Sequence, residues 1–130
     1  MKFLLDTNAV IALLKGNAAL LRKLQRHAPA DFGIPSIVAH ELYYGAYKSH
    51  RVARNLARLD ALQFAVVDFD KEDARASGET RAALARAGTP IGGYDVLIAG
   101  QARARDLAVI TRNLSEFSRL SGLRFENWEQ

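Results

Sequence analysis

The chain has 130 residues, 49% hydrophobic and 25% charged, which is enough to bury a core, and it has no cysteine for a disulfide framework or a thiolate metal site. No uncharged run approaches the roughly 20 residues that span a bilayer, and no secretory signal is visible, so we expect one cytoplasmic domain over residues 1–130. The net charge of +4 and the pI near 9.7 are consistent with a polyanionic partner such as RNA.

Short apolar runs alternate with helical patterns along the whole chain. In chain order the patterns predict a strand at 3–5, helices at 9–14 and 18–27, a strand at 32–34, a helix at 37–47 capped by Ser36, a helix at 50–62, a strand at 64–67, helices at 71–87 and 94–105, and strands at 108–110 and 123–125. This α/β alternation predicts a mainly parallel sheet covered on both faces, with right-handed crossovers. In such sheets the ligand site lies beyond the carboxyl ends of the strands.

Asp6 and Glu41 are the first acidic side chains in positions that suggest chemistry. Asp6 directly follows the first strand, although an aspartate before a helix is also a common N-cap. Glu41 shares a helix face with Ile37 and Tyr44 in a segment with few other charges. A carboxylate among apolar neighbours is costly unless a cation or a donor meets it; the alternative is a rim position that reaches solvent.

Asp95 and Glu116 occupy comparable positions later in the chain. Asp95 opens an apolar helix after two glycines, where a helix N-terminus favours an anion, and N-capping is again the alternative. Glu116 follows the fourth strand, and Asn113 stands three residues before it, which is the spacing of a capping box. Taken alone, Glu116 fits the capping box better than a catalytic role.

The four carboxylates together indicate a metal site that none of them indicates alone. Asp6 and Glu116 follow strands, while Glu41 and Asp95 lie on helices that leave the same rim of the sheet. Converging carboxylates repel one another unless a divalent cation neutralises them. Oxygen ligands with open water positions suit Mg²⁺ or Mn²⁺ rather than zinc, and such a metal can activate water and bind a scissile phosphate.

The ordered motifs resemble those of the PIN-domain family. They are Asp6-Thr7-Asn8 after the first strand, Glu41 in a central helix, Gly92-Gly93-Tyr94-Asp95 at a helix start, and Thr111-Arg112-Asn113-Leu114-Ser115-Glu116-Phe117. The ending from Gly122 to Trp128 also resembles VapC-type ribonuclease toxins of type II toxin–antitoxin systems, and the resemblance covers the whole chain. It implies a five-stranded parallel sheet flanked by helices, Mg²⁺-dependent endoribonuclease activity in which Mn²⁺ can substitute, tRNA as one candidate substrate, homodimerisation, and inhibition by a VapB-like antitoxin.

The same resemblance assigns roles to individual residues. Asp6 and Asp95 match the main metal-ligand positions, and Glu41 and Glu116 match the other acidic positions of the catalytic set. The fourth acidic position is often aspartate in PIN domains, and the longer Glu116 side chain reaches further from the backbone. Polar positions that help to hold the cluster are matched by Thr7 and Asn113.

Basic and aromatic side chains near the middle of the chain suggest two further surfaces. Four basic residues fall within an arc of about 120° on a helix, where they either follow an RNA backbone or form a solvated face: Lys48, Arg51, Arg54 and Arg58. Three tyrosines can lie in the core, stack on RNA bases or form a dimer interface, and the interface is favoured because aromatic residues are enriched at interface centres. They are Tyr43, Tyr44 and Tyr47. The histidines share no spacing typical of a metal site or a triad, so we expect structural or exposed positions for His27, His40 and His50.

Three functions compete for this sequence. The first is a metal-dependent ribonuclease toxin, and the second is a catalytically silent PIN-like module that binds RNA or regulates. The third is another α/β phosphate enzyme or a phospho-accepting receiver domain, which is disfavoured because the sequence has no Asp-x-Asp after the first strand and no glycine-rich phosphate loop. The silent module is disfavoured because all four acidic positions are filled. The sequence therefore predicts the ribonuclease toxin.

Overall fold

A computed structural model describes residues 1–130 as five strands and seven α-helices. The strands are β1 (Phe3–Leu5), β2 (Phe32–Pro35), β3 (Ala65–Val67), β4 (Ala108–Ile110) and β5 (Phe125–Glu126). The helices are α1 (Thr7–Leu14), α2 (Ala18–Leu24), α3 (Ser36–Tyr47), α4 (Val52–Asp60), α5 (Lys71–Arg86), α6 (Gly93–Arg105) and α7 (Leu114–Phe117). None of these helices has the length and apolar character needed to cross a membrane.

All five strands form one parallel sheet in the order β3-β2-β1-β4-β5, as the alternating pattern predicted. Because parallel crossovers are right-handed, the connections from β1 through β3 and those from β3 through β5 cover opposite faces of the sheet. The strand order reverses between β1 and β4, which are direct neighbours in register Leu5 to Ile110. This reversal defines the crevice at the carboxyl edge where such sheets place their ligand sites.

The sheet centre is buried because its strands are short apolar runs covered on both sides. Every residue of β4 is buried, as are Leu4 and Leu5 of β1 and all of β2. His27 is structural, as expected: its ring packs edge-on against Phe3 at 4.8 Å and stacks on Trp128 at 5.6 Å. This packing anchors the end of the chain to the first strand.

Several element boundaries differ from the sequence prediction. α2 ends at Leu24 rather than near residue 27, since His27 leaves the helix to join the aromatic cluster. The predicted N-cap Ser36 is wrong: Pro35 is the N-cap, because β2 continues through Pro35 and α3 starts at the next residue. The helix predicted at 50–62 begins at Val52, and β5 lies two residues later than predicted at its start.

Helices α5 and α6 pack closely through small side chains and through an ion pair between the buried Asp73 and the exposed Arg105. Gly100 of α6 lies against the backbone of Ser77 in α5, where a Cβ atom on residue 100 would stand 2.5 Å from the Ser77 Cα. Asp73 is only 1% exposed and accepts hydrogen bonds from Arg105 at 2.9 Å and from Gln101 at 3.0 Å. These contacts fix α6, and with it the helix start that carries Asp95.

Candidate active site

Asp6 lies at the junction of β1 and α1, at the reversal of the strand order. It is 4% exposed and caps α1, because its Oδ1 accepts a hydrogen bond of 2.8 Å from the Ala9 amide. The N-cap reading and the functional reading are therefore compatible, since the cap occupies only one of the two carboxylate oxygens. Burial raises the pKa of Asp6 above its ordinary value, although the Thr111 hydroxyl and the Ala9 amide act in the opposite direction.

Thr111 is a residue of this site that the sequence analysis did not select. It follows β4 as Asp6 follows β1, is 1% exposed, and its Oγ1 accepts a hydrogen bond of 2.9 Å from the Asn113 amide. The sequence marks Thr111 only as a polar residue directly after a buried strand, and threonine in that position is not specific to a functional site. Its position links the floor of the site to the loop that carries Asn113.

Glu41 joins the site through Thr7. The Thr7 hydroxyl, in the first turn of α1, donates a hydrogen bond of 2.8 Å to the Glu41 Oε1 in the middle of α3. Glu41 is half-buried, so neither the rim reading nor full enclosure describes it. The structure thus brings the two residues into direct contact, with Thr7 orienting the Glu41 carboxylate.

Asp95 and Glu116 share one partner, the Asn113 side-chain amide. Its Nδ2 donates to Asp95 Oδ2 at 3.1 Å and to Glu116 Oε2 at 2.9 Å. Asp95 lies in the first turn of α6, whose N-cap is Gly92, so the N-cap reading of Asp95 is wrong. A Cβ atom on Gly92 would stand 3.5 Å from the Asp95 carboxylate and 3.8 Å from that of Glu116, which are ordinary contact distances, so the start of α6 lies directly against both acids.

The predicted capping box at α7 does not form. Asn113 is the N-cap but makes no side-chain cap hydrogen bond, and its own amide donates to Thr111 instead of to Glu116. The capping-box interpretation of Glu116 is therefore wrong, because the Asn113 side chain turns toward Asp95. Glu116 is free to serve the acidic cluster.

The close approach of the acids changes their protonation. Burial raises the pKa of Asp95 to about 7, together with the hydrogen bond and charge of Glu116 and the charge of Asp6. The pKa of Glu116 is lowered, chiefly because the protonated Asp95 carboxyl donates to it. With a pKa of about 7, Asp95 is about half protonated at neutral pH, as expected for carboxylates that are crowded together.

A groove of about 340 Å³ contains the centre of this arrangement. Asp6, Glu41 and Asp95 line it together with Asn8 and Tyr94, and Glu116 adjoins it through Asn113. No three of the acidic side chains are placed to coordinate one metal ion together. The donor set is nevertheless one of carboxylate oxygens without sulfur or imidazole, which fits a hard divalent cation with retained water ligands.

The predicted basic stripe is not a single helix face. α3 ends at Tyr47 and α4 begins at Val52, so Lys48 and Arg51 lie in the intervening turn and only Arg54 and Arg58 share a helix. The four residues do not form one arc because residues 48–51 change the direction of the chain. Arg58 donates to the Leu14 carbonyl, and the Lys48 ammonium lies 4.8 Å from the Tyr44 ring centroid. Contact of these residues with RNA stays a prediction.

The remaining aromatic and histidine residues lie mainly on the surface of α3. Tyr44 and Tyr47 are 61% and 65% exposed, whereas Tyr43 donates a hydrogen bond of 2.8 Å to Asp60. This excludes a core role for Tyr44 and Tyr47, and their place in a dimer interface stays a prediction. His40 and His50 are exposed, as expected, and the His40 ring stands edge-on to Tyr94 at 6.1 Å, beside the groove.

A parallel sheet of this strand order, with carboxylates at the reversal point, defines an α/β protein with an acidic site at the carboxyl edge of its sheet. The family model described as PIN domain matches residues 3–123, and the chain belongs to the PIN-domain family. Its relatives within that family are VapC proteins. It is 43% identical, over 98% of each chain, to the tRNA(fMet)-specific endonuclease VapC of Salmonella typhimurium, and 36% identical, again over 98% of each, to the ribonuclease VapC2 of Haemophilus influenzae.

Solved structures of toxin–antitoxin complexes have the same fold. The DNA-bound VapBC of Salmonella typhimurium gives a TM-score of 0.93 at 42% identity, covering 98% of each chain. VapBC2 of Rickettsia felis, bound to a promoter DNA fragment, gives 0.92 at 33% identity, covering 98% of this chain and 99% of the other. The resemblance stated from the motifs, and the five-stranded parallel sheet that it implied, are thereby confirmed.

The contacts of Glu116 lead to the first prediction. Glu116→Gln keeps an oxygen for the Asn113 amide but removes the charge, so RNA cleavage should fall about 10- to 100-fold, as for residues that orient a metal site. The melting temperature should change little because no cap is lost. Single-turnover cleavage and thermal unfolding measure the two effects, with Ser118→Ala as a control on the neighbouring surface. Unchanged cleavage would remove Glu116 from the catalytic set.

Proposed function

We propose that this protein is a metal-dependent endoribonuclease and the toxin of a toxin–antitoxin pair. The observation that carries the proposal is the convergence of Asp6, Glu41, Asp95 and Glu116 at the reversal point of the sheet. Its relatives are named as ribonucleases and are solved in complex with antitoxins. We further propose tRNA as the substrate class, since one relative is named for tRNA(fMet), and the cytoplasm as the compartment.

The acidic cluster supplies ligands for divalent metal binding. Asp6 and Asp95 are proposed to hold the metal, Glu41 and Glu116 to complete its surroundings, and Mg²⁺ to be the physiological ion with Mn²⁺ as a substitute. When bound, such a cation supplies a Lewis acid that activates water and neutralises charge on a phosphate. The protein contributes the orientation: Thr7 holds the Glu41 carboxylate, and Asn113 holds Asp95 beside Glu116.

The perturbed pKa of Asp95 favours an active enzyme over the silent module. Groups whose pKa is shifted by burial and by a specific charged neighbour are concentrated at functional sites. Crowding of Asp95, Glu116 and Asp6 costs the isolated protein stability, because their charges repel. A module that only binds RNA gains nothing from negative charges beside the phosphate backbone, whereas a metal-dependent nuclease needs them.

A VapB-like antitoxin is the partner protein that this function requires. A groove of about 310 Å³ runs beside Glu41 between α1, α3 and α4, and its walls include Leu14, Leu42 and Leu59. Ile11 at its edge is 36% exposed, which is apolar surface that a protein partner can cover. The groove therefore lies where an inhibitor would also restrict access to the acidic cluster.

Cleavage should require a divalent cation, which is the second prediction and the test of this function. Incubation of the purified protein with tRNA and Mg²⁺ or Mn²⁺ should give discrete fragments. Chelation with EDTA should lower the rate by at least about 100-fold, the scale of losing one electrostatic catalytic group. Restored cleavage after excess Mg²⁺ controls for loss of folding. Cleavage that persists undiminished in EDTA would exclude the metal mechanism, and intact RNA under every condition would exclude the nuclease.

A further inference from the structure

A second polar recess opens beside the carboxylate groove, with a volume of about 490 Å³. Its polar walls are Asn8, Lys15, Asn17, Arg112 and Glu129, and we call it the Lys15/Arg112 recess. Lys15 follows the last turn of α1, and Arg112 lies in the loop after β4, between Thr111 and Asn113. The two cations of the recess therefore come from the same chain segments that carry Asp6 and Asn113.

The recess has two cations without partners. Lys15 and Arg112 are exposed and take part in none of the ion pairs, whereas Arg103, Arg105 and Arg124 are each paired with a carboxylate. Glu129 is the one acidic side chain lining the recess, and it lies beyond ion-pair distance from both cations. The cations thus outnumber the acids two to one, and their charge is available to a ligand.

Two amide side chains add neutral donors to these cations. The Asn17 Oδ1 accepts a hydrogen bond of 2.9 Å from the Leu20 amide, which leaves its NH₂ group without a protein partner. Asn8 is exposed and also has no side-chain hydrogen bond within the protein. An arginine fork, an ammonium group and amide donors around one hollow are the groups that bind phosphate oxygens.

The recess is continuous with the catalytic groove. Asn8 lines both. The charges of Arg112 and Glu129 also lie close enough to Asp6 to shift its pKa, in opposite directions. A strand whose scissile phosphate lies at the carboxylates would therefore place a neighbouring phosphate in or near the recess.

We propose that the Lys15/Arg112 recess binds a backbone phosphate of the RNA strand next to the scissile bond. The proposal rests on the proposed ribonuclease function and assigns to this chain the RNA contact that the sequence analysis placed elsewhere. Arg58 of the predicted stripe already donates to the Leu14 carbonyl, and the Lys48 ammonium lies over Tyr44. Lys15 and Arg112 have no such competing partner, so RNA does not have to displace an existing contact.

The test compares two double variants with the same change in charge. Lys15→Ala/Arg112→Ala removes the two cations of the recess, whereas Arg81→Ala/Arg86→Ala removes two exposed cations from α5. Affinity for a tRNA is measured against salt concentration in EDTA, so that no cleavage occurs, and single-turnover cleavage is measured separately with Mg²⁺. Thermal unfolding checks that each variant is folded, and Lys15→Arg/Arg112→Lys retains both charges if the alanine variant does not fold.

The recess variant should bind tRNA at least about tenfold more weakly near physiological salt, and its log–log salt slope should flatten by about 0.7 for each lost phosphate contact. The α5 control should retain most of the affinity and the slope, and the charge-retaining variant should bind nearly as the wild type does. Glu129→Gln should strengthen binding, because it removes the opposing charge. The cleavage rate at saturating tRNA should change less than the affinity.

Three results would overturn the proposal. Equal weakening in both double variants would mean that net charge alone acts. Unchanged tRNA binding in the recess variant, with wild-type protein that cleaves RNA, would reject the recess while leaving the proposed function intact. Weakened binding of an acidic antitoxin segment with unchanged tRNA binding would assign the recess to a protein partner. Absence of RNA cleavage by the wild type would instead count against the proposed function itself.

Discussion

Asp95→Asn should abolish RNA cleavage while leaving RNA affinity unchanged or improved. The substitution preserves the size of the side chain and an oxygen for the Asn113 amide, which lies 3.1 Å from Asp95 Oδ2. It removes the negative charge that a divalent cation needs, so the single-turnover rate should fall at least about 100-fold. It also removes repulsion toward the phosphate backbone, which is why binding should not weaken.

The matched control for this variant is Asp68→Asn. Asp68 is exposed, and only its backbone carbonyl accepts hydrogen bonds, so the same chemical change there should leave cleavage unaltered.

Expression of the wild type alone should arrest growth, Asp95→Asn should not, and co-expression of the antitoxin should restore growth to cells carrying the wild type. An Asp95→Asn protein that cuts RNA as fast as the wild type would show that the catalytic assignment is wrong.

Gly100→Ala should destabilise the protein by about 3 kcal/mol, toward the upper end of what overpacking usually costs. A Cβ atom at this position would stand 2.5 Å from the Ser77 Cα and 2.6 Å from its backbone nitrogen, and closer still to its hydroxyl oxygen. A flexible side chain could move aside, but backbone atoms of α5 cannot move without separating the two helices. The loss therefore exceeds the roughly 1 kcal/mol that alanine gains over glycine within a helix.

Gly78→Ala provides the opposite expectation from the same chemical change. Gly78 also lies inside a helix, α5, but nothing lies within 4 Å of a Cβ placed there. Alanine at 78 should therefore stabilise the protein by about 1 kcal/mol through helix propensity alone. Urea or thermal unfolding of both variants measures the difference. A Gly100→Ala protein as stable as the wild type would contradict the close packing of α5 on α6.

The strand and helix pattern could be predicted because it depends on local periodicity. The runs Phe3–Leu5 and Ala108–Ile110 are short and apolar, and both became buried central strands within the predicted bounds. Boundaries that depend on distant partners could not be read in the same way. His27 leaves α2 to stack on Trp128, which is 101 positions later in the chain.

The candidate site was predicted residue by residue, but the contacts within it were not. Asp6 and Asp95 were selected from their positions at a strand end and a helix start. The spacing of Asn113 and Glu116 indicated a capping box, and only the folded chain shows that the Asn113 amide turns to Asp95, 18 positions earlier. A capping box depends on one segment, whereas this contact depends on how α6 packs beside β4.

The sequence by itself determined the α/β class, the parallel sheet and the identity of the four acids, because apolar periodicity and chain order are local properties. Tertiary structure alone decided which acids share a proton, where the free cations lie, and that Thr111 belongs to the site. Those properties depend on distances between segments that the sequence does not contain. The sequence predicted that four basic residues share one helix face, but residues 48–51 form a turn between α3 and α4, so the four residues do not lie on one helix. Lys15 and Arg112 are 97 positions apart in the chain, and they face one recess because β1 and β4 are neighbours in the sheet.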